Sequence, residues 1–114
     1  MSLQIGRYEF EGPLVNPRGV KDIPGVLAIM SYRNQEFEIV ELAESANLRA
    51  ELGDQENQEY WQSKSLGMLT FSVHYSPRLG QNRRSEIVGE ILREFDGECQ
   101  EFQPQRGLVA SGSR

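Results

Sequence analysis

The chain has 114 residues, of which 38% are hydrophobic, and this length and composition predict one small domain rather than two. No apolar run approaches the roughly 20 residues needed to cross a bilayer, and there is no signal-peptide pattern, so we expect a cytoplasmic protein with no membrane partner. The formal net charge of −5 argues against a non-specific nucleic-acid binder, because such proteins gain most of their affinity from basic surfaces.

The charge is distributed unevenly along the chain. Residues 36–59 contain eight acidic residues and one basic residue, which gives this acidic segment a net charge of −7 and leaves about +2 for the rest. A later segment is mildly basic. The acidic side chains of 36–59 are Glu36, Glu38, Glu41, Glu44, Glu51, Asp54, Glu56 and Glu59, and the later arginines are Arg78, Arg83, Arg84 and Arg93.

The first half of the chain predicts strands. Residues 7–14 alternate aromatic and charged side chains, as in an edge strand, and residues 12–25 contain the prolines and glycines of a long irregular loop. Residues 26–32 form an apolar run that is typical of a buried strand, and 36–42 alternate in polarity. The short polar turn at 33–35 predicts that these two strands form an antiparallel hairpin.

The next elements are predicted from capping residues and periodicity. Ser45 is the expected N-cap of a helix over 46–52, which ends at Gly53. Asp54 is positioned to cap a second helix, which carries Tyr60 and Trp61. Residues 70–76 alternate strictly, which predicts a strand with one buried face and one polar or solvated face.

The C-terminal part of the domain predicts a helix over 83–95 with an apolar stripe, ending at Gly97. The polar stretch 100–114 is expected to be a flexible tail. We therefore expect a single domain over 1–99, with a core at 24–99 and an additional strand at 7–14. The expected fold class is a small α/β (α+β) domain with a mainly antiparallel, three- to four-stranded sheet flanked by helices.

The order and spacing of these elements resemble the GIY-YIG nuclease domain over residues 24–99. Gly25-Val26-Leu27 takes the place of the Gly-Ile-Tyr triplet, and Ile39-Val40-Glu41 takes the place of Tyr-Ile-Gly. The 11 residues between them, 28–38, are a normal spacing for that family. The segment 45–49 is similar to the Asn-Leu-Arg sequence that opens the family's first helix.

The resemblance implies phosphodiester hydrolysis with a tyrosine, an arginine, and a glutamate that holds one divalent metal. This chain departs from that set, since Leu27 and Ile39 occupy the tyrosine positions and Glu51 falls near the arginine position. The glutamate position falls at either Glu86 or Glu90 on the last helix. We therefore expect no catalytic residues, no metal and no cofactor.

For each of the other candidate residues, a purely structural role is the alternative to a functional one. The lone cysteine, Cys99, follows Glu98, which would raise its thiol pKa rather than activate it. Arginines near a helix N-terminus oppose the helix dipole, so they are candidates for phosphate binding together with a lysine. These candidate binding residues are Arg78, Arg83, Arg84 and Lys64.

Three functions remain open from the sequence. The first is a catalytically inactive GIY-YIG-like binding module for an unknown protein or nucleic-acid end, in an unknown oligomeric state. The second is a Mg²⁺-dependent DNA or RNA endonuclease with a rearranged site and Glu86 as the metal ligand. The third is an unrelated small α/β interaction domain. A rearranged nuclease would use Glu86, Arg84, His74 and either Tyr32 or Tyr75.

Overall fold

The computed structural model describes the backbone of residues 2–102 and the side chains of residues 2–94. It contains one antiparallel sheet with the strand order β1-β2-β5-β3-β4, three α-helices and a short 3-10 helix at Pro17–Gly19. The elements are β1 (Ser2–Ile5), β2 (Tyr8–Leu14), β3 (Gly25–Arg33), β4 (Glu36–Ser45), α1 (Leu48–Gly53), α2 (Gln55–Lys64), β5 (Met68–Tyr75) and α3 (Gln81–Phe102).

The predicted α+β class and antiparallel sheet are confirmed, but the sheet has five strands rather than three or four. The additional strand is β1, which pairs with β2 through a tight turn at Gly6 and Arg7. The sequence predicts only the second strand of this hairpin, because β1 has only four residues, too few for its alternation of polar and apolar side chains to stand out.

The sheet is organised around β3, which pairs with β4 on one side and β5 on the other. All residues from Gly25 to Ser31 are buried. A strand with no solvated face needs cover on both sides of the sheet, and this explains the continuous apolar run in the sequence. Gly25 is required for close approach, since a Cβ there would collide with the His74 carbonyl oxygen of β5.

Two hydrophobic cores cover the two faces of the sheet. The first lies under α3, which contributes Ile87 and Ile91, and the second lies under α1 and α2, which contribute Leu48, Leu52 and Trp61. The helices therefore form two separate layers. The first core also contains Ile5, Phe10, Val26, Ala28, Met30, Ile39 and Leu42, and the second also contains Val20, Leu27, Ile29, Leu69, Phe71 and Val73.

The strand at 70–76 has the predicted polar face, but this face is not solvated. Thr70 and Ser72 are 3% and 0% exposed, although they lie on the polar side of the alternation. β5 lies between β2 and β3, and the polar side faces the core under α3. The Thr70 hydroxyl donates a hydrogen bond to the Met30 carbonyl oxygen at 3.2 Å, which makes its burial tolerable.

The hairpin of β3 and β4 forms as predicted, with a two-residue turn at Asn34 and Gln35. Both residues have positive φ, 54° and 64°, as a type I′ turn requires. Asp54 caps α2 as predicted, and its side chain accepts a hydrogen bond from the backbone N–H of Glu56. Within residues 2–102, no helix is long and apolar enough to cross a membrane.

Two predicted helix boundaries are wrong. Ser45 is the last residue of β4 rather than an N-cap, and α1 is preceded by Asn47, whose N–H donates to the Ser45 hydroxyl. α3 continues past Gly97 to Phe102, because a glycine inside a helix weakens it without ending it. Most of the flexible tail predicted for 100–114 lies outside the described residues, as does the side chain of Cys99.

Adjacent residues on α3 test the packing of this helix. Ile91 is fully buried and Leu92 is 41% exposed. We expect Ile91→Ala to lower the free energy of unfolding by about 2–5 kcal/mol, because it leaves a cavity in the first core. We expect Leu92→Ala to change it by less than about 1 kcal/mol. Urea denaturation followed by the fluorescence of Trp61 measures both, and equal losses would contradict the assigned helix face.

Candidate functional site

A group of mutually hydrogen-bonded polar side chains lies where α3 meets the N-terminal hairpin. Glu90 of α3 accepts hydrogen bonds from Arg7 Nε at 2.6 Å and from the Tyr8 hydroxyl at 2.7 Å. Arg7 Nη2 also approaches the Tyr8 hydroxyl at 3.2 Å and the second Glu90 oxygen at 3.4 Å. Arg7, Tyr8 and Glu90 therefore form one cluster, which we call the hairpin cluster.

The electrostatics of the hairpin cluster follow from these hydrogen bonds. The hydrogen bonds from Arg7 and then from Tyr8 hold the pKa of the Glu90 carboxyl below its usual range. The hydrogen bond to Glu90, together with burial, raises the pKa of the Tyr8 hydroxyl. Tyr8 therefore keeps its proton near neutral pH and is poorly suited to act as a general base.

His74 lies beside the hairpin cluster. Its ring packs edge-on against the ring of Tyr8, with 5.4 Å between the centroids, and lies 5.6 Å from the ring of Phe10. Its Nδ1 lies 2.9 Å from the Glu9 carbonyl oxygen. Because a carbonyl oxygen only accepts, this contact assigns the proton to Nδ1 in that hydrogen bond. The contact holds β5 to β2 at the end of the sheet.

Arg84, a candidate for both catalysis and phosphate binding, is 6% exposed. Its Nε lies 2.8 Å from a carboxylate oxygen of Glu44, and its Nη1 donates to the Leu79 carbonyl oxygen at 2.7 Å. These contacts fasten the first turn of α3 to the end of β4. The guanidinium therefore has a structural role in holding the helix on the sheet.

The other candidate binding residues are not brought together. Arg83 is exposed and pairs with Glu86 at 3.1 Å within the same helix, and Arg78 is exposed in the preceding loop. Lys64 ends α2, in the layer on the opposite face of the sheet, where its Nζ lies over the Tyr60 ring at 5.5 Å. The structure therefore does not place Lys64 beside the arginines.

The two candidate tyrosines lie away from His74. The Tyr75 side chain packs on the second core, on the opposite face of β5 from His74, and its hydroxyl accepts a hydrogen bond from the Lys21 N–H. Tyr32 packs against Phe37 at 4.7 Å between centroids. His74 pairs with Val26, six residues before Tyr32 on β3, a separation of about 20 Å along a strand. The residue set for a rearranged nuclease does not converge.

The positions that correspond to catalytic residues of the GIY-YIG domain do not lie together either. Leu27 belongs to the second core and Ile39 to the first, so the two positions that correspond to the family's tyrosines lie on opposite faces of the sheet. Glu51 of α1 accepts hydrogen bonds from Ser45 and Asn57, which hold β4, α1 and α2 together. These residues do not form a shared cleft.

The side chains present do not fit a divalent metal ion at the family's glutamate position. Both Glu90 oxygens face hydrogen-bond donors, and one donor is a guanidinium that would repel a cation. Glu86 pairs with Arg83 at the surface. Among residues 2–94, no group of three or more His, Cys, Asp or Glu side chains is arranged to hold a metal.

Comparisons with protein-family models, with curated proteins and with solved structures found no match for this chain. The sequence alone does not identify Arg7 and Tyr8 as partners of Glu90, although all three are visible as polar or aromatic residues. Tyr8 and Glu90 are 82 residues apart in the sequence, which places this contact beyond any local spacing rule. The turn residue Gly6, which has a positive φ, lies beside Arg7 at this end of the sheet.

The pair of Arg84 and Glu44 can be tested by a double-mutant cycle. We expect Glu44→Leu to destabilise the fold by up to about 3 kcal/mol, because it leaves a buried guanidinium without its anion. Arg84→Met combined with Glu44→Leu should recover much of that loss. Urea denaturation of the single and double variants measures the coupling, and additive effects would show that the pair does not hold α3 to β4.

The hairpin cluster predicts a dependence of stability on pH. Because the folded-state pKa of Glu90 lies below its ordinary value of 4.5, its contribution is complete above that value and is lost as pH falls through the folded pKa. We expect Glu90→Gln to flatten the loss of stability as pH falls below 4.5, which urea denaturation at several pH values would measure. Glu86→Gln is the matched control on the same helix, and equal flattening in both variants would contradict the assignment.

Proposed function

We propose that this protein is an interaction module without nuclease activity, and that its acidic segment binds a basic region of a partner protein. The absence of nuclease activity is proposed because candidate catalytic side chains form hydrogen bonds with other parts of the fold. Arg84 is bound to Glu44 and the Leu79 carbonyl oxygen, and both carboxylate oxygens of Glu90 accept hydrogen bonds from Arg7 or Tyr8. A nuclease needs such groups free to face the phosphate and the attacking water.

The acidic segment supports the second half of the proposal. Its net charge of −7 is carried by β4, α1 and α2, which are consecutive in the chain and adjacent in space. Glu36, Glu51, Asp54, Glu56 and Glu59 are exposed. A surface of this kind repels phosphate and attracts lysine and arginine side chains over about 10 Å at 0.1 M salt.

The relation to the GIY-YIG domain is part of this proposal. It is supported by the β3–β4 hairpin, the pairing of β5 with the other side of β3, and the helices that follow β4 and β5. Under this proposal the domain kept the strand arrangement while Leu27 and Ile39 became core residues. An unrelated interaction domain would have the same expected activity, so the functional test does not depend on ancestry.

Two measurements on the full chain test the proposed function. The first incubates it with single- and double-stranded DNA and RNA in Mg²⁺ or Mn²⁺, and we expect no cleavage above a protein-free control. The second titrates it with oligolysine and with a DNA duplex of equal charge. We expect the oligolysine to bind, with an affinity that falls as salt is added, and the DNA to bind more weakly.

Each half of the proposal has a result that would contradict it. Metal-dependent cleavage that Glu86→Ala or Glu90→Gln abolishes, while Glu56→Gln on α2 leaves it intact, would establish a nuclease and overturn the first half of the proposal. Equal or tighter binding to DNA than to oligolysine would overturn the second half.

A further inference from the structure

The longest free edge of the sheet belongs to β4. Within residues 2–102, β4 has ten residues and pairs only with β3, whereas the opposite edge strand, β1, has four. In an edge strand, alternate backbone N–H and C=O groups point away from the sheet. Among residues 2–94, no other backbone or side-chain group forms a hydrogen bond with the backbone of β4 outside its ladder with β3.

A β-bulge divides this edge. Ile29 pairs with Glu41 and Met30 pairs with Ile39, so Val40 is the additional residue on β4. A bulge bends a strand and interrupts regular pairing, so an added strand would pair on one side of it. In the C-terminal part of β4, Glu41 accepts from the Trp61 indole N–H and Glu44 pairs with Arg84. The N-terminal part, Glu36–Ile39, is therefore the half that is more available for pairing.

The two faces of Glu36–Ile39 differ in chemistry. Glu36 and Glu38 pair with Arg33 and Ser31 and share the face of the sheet that α1 and α2 cover. Phe37 and Ile39 lie on the other face, where Phe37 is half-buried against Tyr32. Directly opposed side chains in an added strand contact each other, so this edge selects a strand with basic residues on one face and apolar residues on the other.

A second copy of this chain does not fit the same edge. Two β4 strands that extend the sheet in an antiparallel pair put equivalent faces on the same side, so Glu36 and Glu38 of one copy face glutamates of the other. Like charges at cross-strand positions are destabilising. The glutamates therefore disfavour self-association while leaving the edge open to a basic strand.

From these observations we propose that Glu36–Ile39 binds an extended, basic-apolar alternating segment of a partner protein as a sixth strand of the sheet. The main-chain groups of β4 supply affinity, Glu36 and Glu38 select lysine or arginine, and Phe37 selects an apolar residue. This inference rests on the proposed function, and it adds the location of the binding site, the conformation of the ligand and the pattern of its side chains.

The test uses the full chain and a capped peptide of about eight residues in which lysine alternates with valine. Two further peptides carry backbone N-methyl groups, one on the lysines and one on the valines, so that each loses the N–H donors of one strand edge but keeps its charge. Isothermal titration gives the affinities. We expect the two methylated peptides to bind unequally, the weaker by about tenfold or more relative to the parent, because several main-chain hydrogen bonds are lost.

Nuclear magnetic resonance places the peptide on the protein. With the parent peptide, we expect the largest amide shifts and slowed hydrogen exchange at residues 36–39. Glu36→Lys combined with Glu38→Lys should weaken binding by roughly 3- to 30-fold, since two opposite-charge pairs become like-charge pairs. Glu56→Lys with Glu59→Lys on α2 makes the same charge change away from β4 and should weaken it less. Unchanged Trp61 fluorescence and circular dichroism confirm that each variant folds.

The outcomes separate this inference from the proposed function. Equal binding of all three peptides, or equal weakening by both charge-reversal pairs, would overturn strand addition while leaving binding by the acidic segment intact. If neither the parent peptide nor oligolysine binds, both proposals are overturned. Shifts at β4 that depend on protein concentration without peptide would show that a second copy occupies the edge, and would overturn the choice of a basic partner strand.

Discussion

The burial of β3 on both faces is the constraint on which the rest of the structure depends. Seven consecutive residues, Gly25–Ser31, are withdrawn from water, and burial of their apolar surface supplies a large part of the driving force for folding. One helical layer cannot cover a sheet from both sides. The chain therefore sends α1 and α2 to one face and α3 to the other, and each layer has its own core. The contacts that hold α3 in place are consequences of this arrangement.

The polar residues that attach α3 to the sheet belong to residue types that also serve in catalytic sites. Arg84 holds the start of the helix to Glu44, and Glu90 holds its middle to Arg7 and Tyr8. Arginine, tyrosine and glutamate are also the residue types used in phosphodiester hydrolysis. Here their hydrogen-bonding groups face one another, which stabilises the packing and leaves fewer of them free to face a ligand.

Much of the fold follows from local patterns in the sequence. The apolar run at 26–32, the polar turn and the Asp54 cap each act over a few residues, so the β3–β4 hairpin and the start of α2 could be predicted. The burial of the polar face of β5 could not be predicted, because Ser72 and Thr70 become buried only through the position of β5 in the sheet. The hairpin cluster joins residues 82 positions apart in the chain, which no local period reveals.

The position of β4 connects the fold to the proposed function. Because β3 needs a neighbour on each side and β5 also pairs with β2, β4 has a neighbour on only one side in the described part of the chain and is an edge there. An exposed edge strand invites pairing with other chains, and proteins reduce this hazard with charges and bulges. β4 has both, in Glu36, Glu38 and the extra residue Val40. The glutamates that prevent pairing with a second copy of β4 are complementary to a basic strand, so protection against self-association and selection of a partner follow from the same side chains.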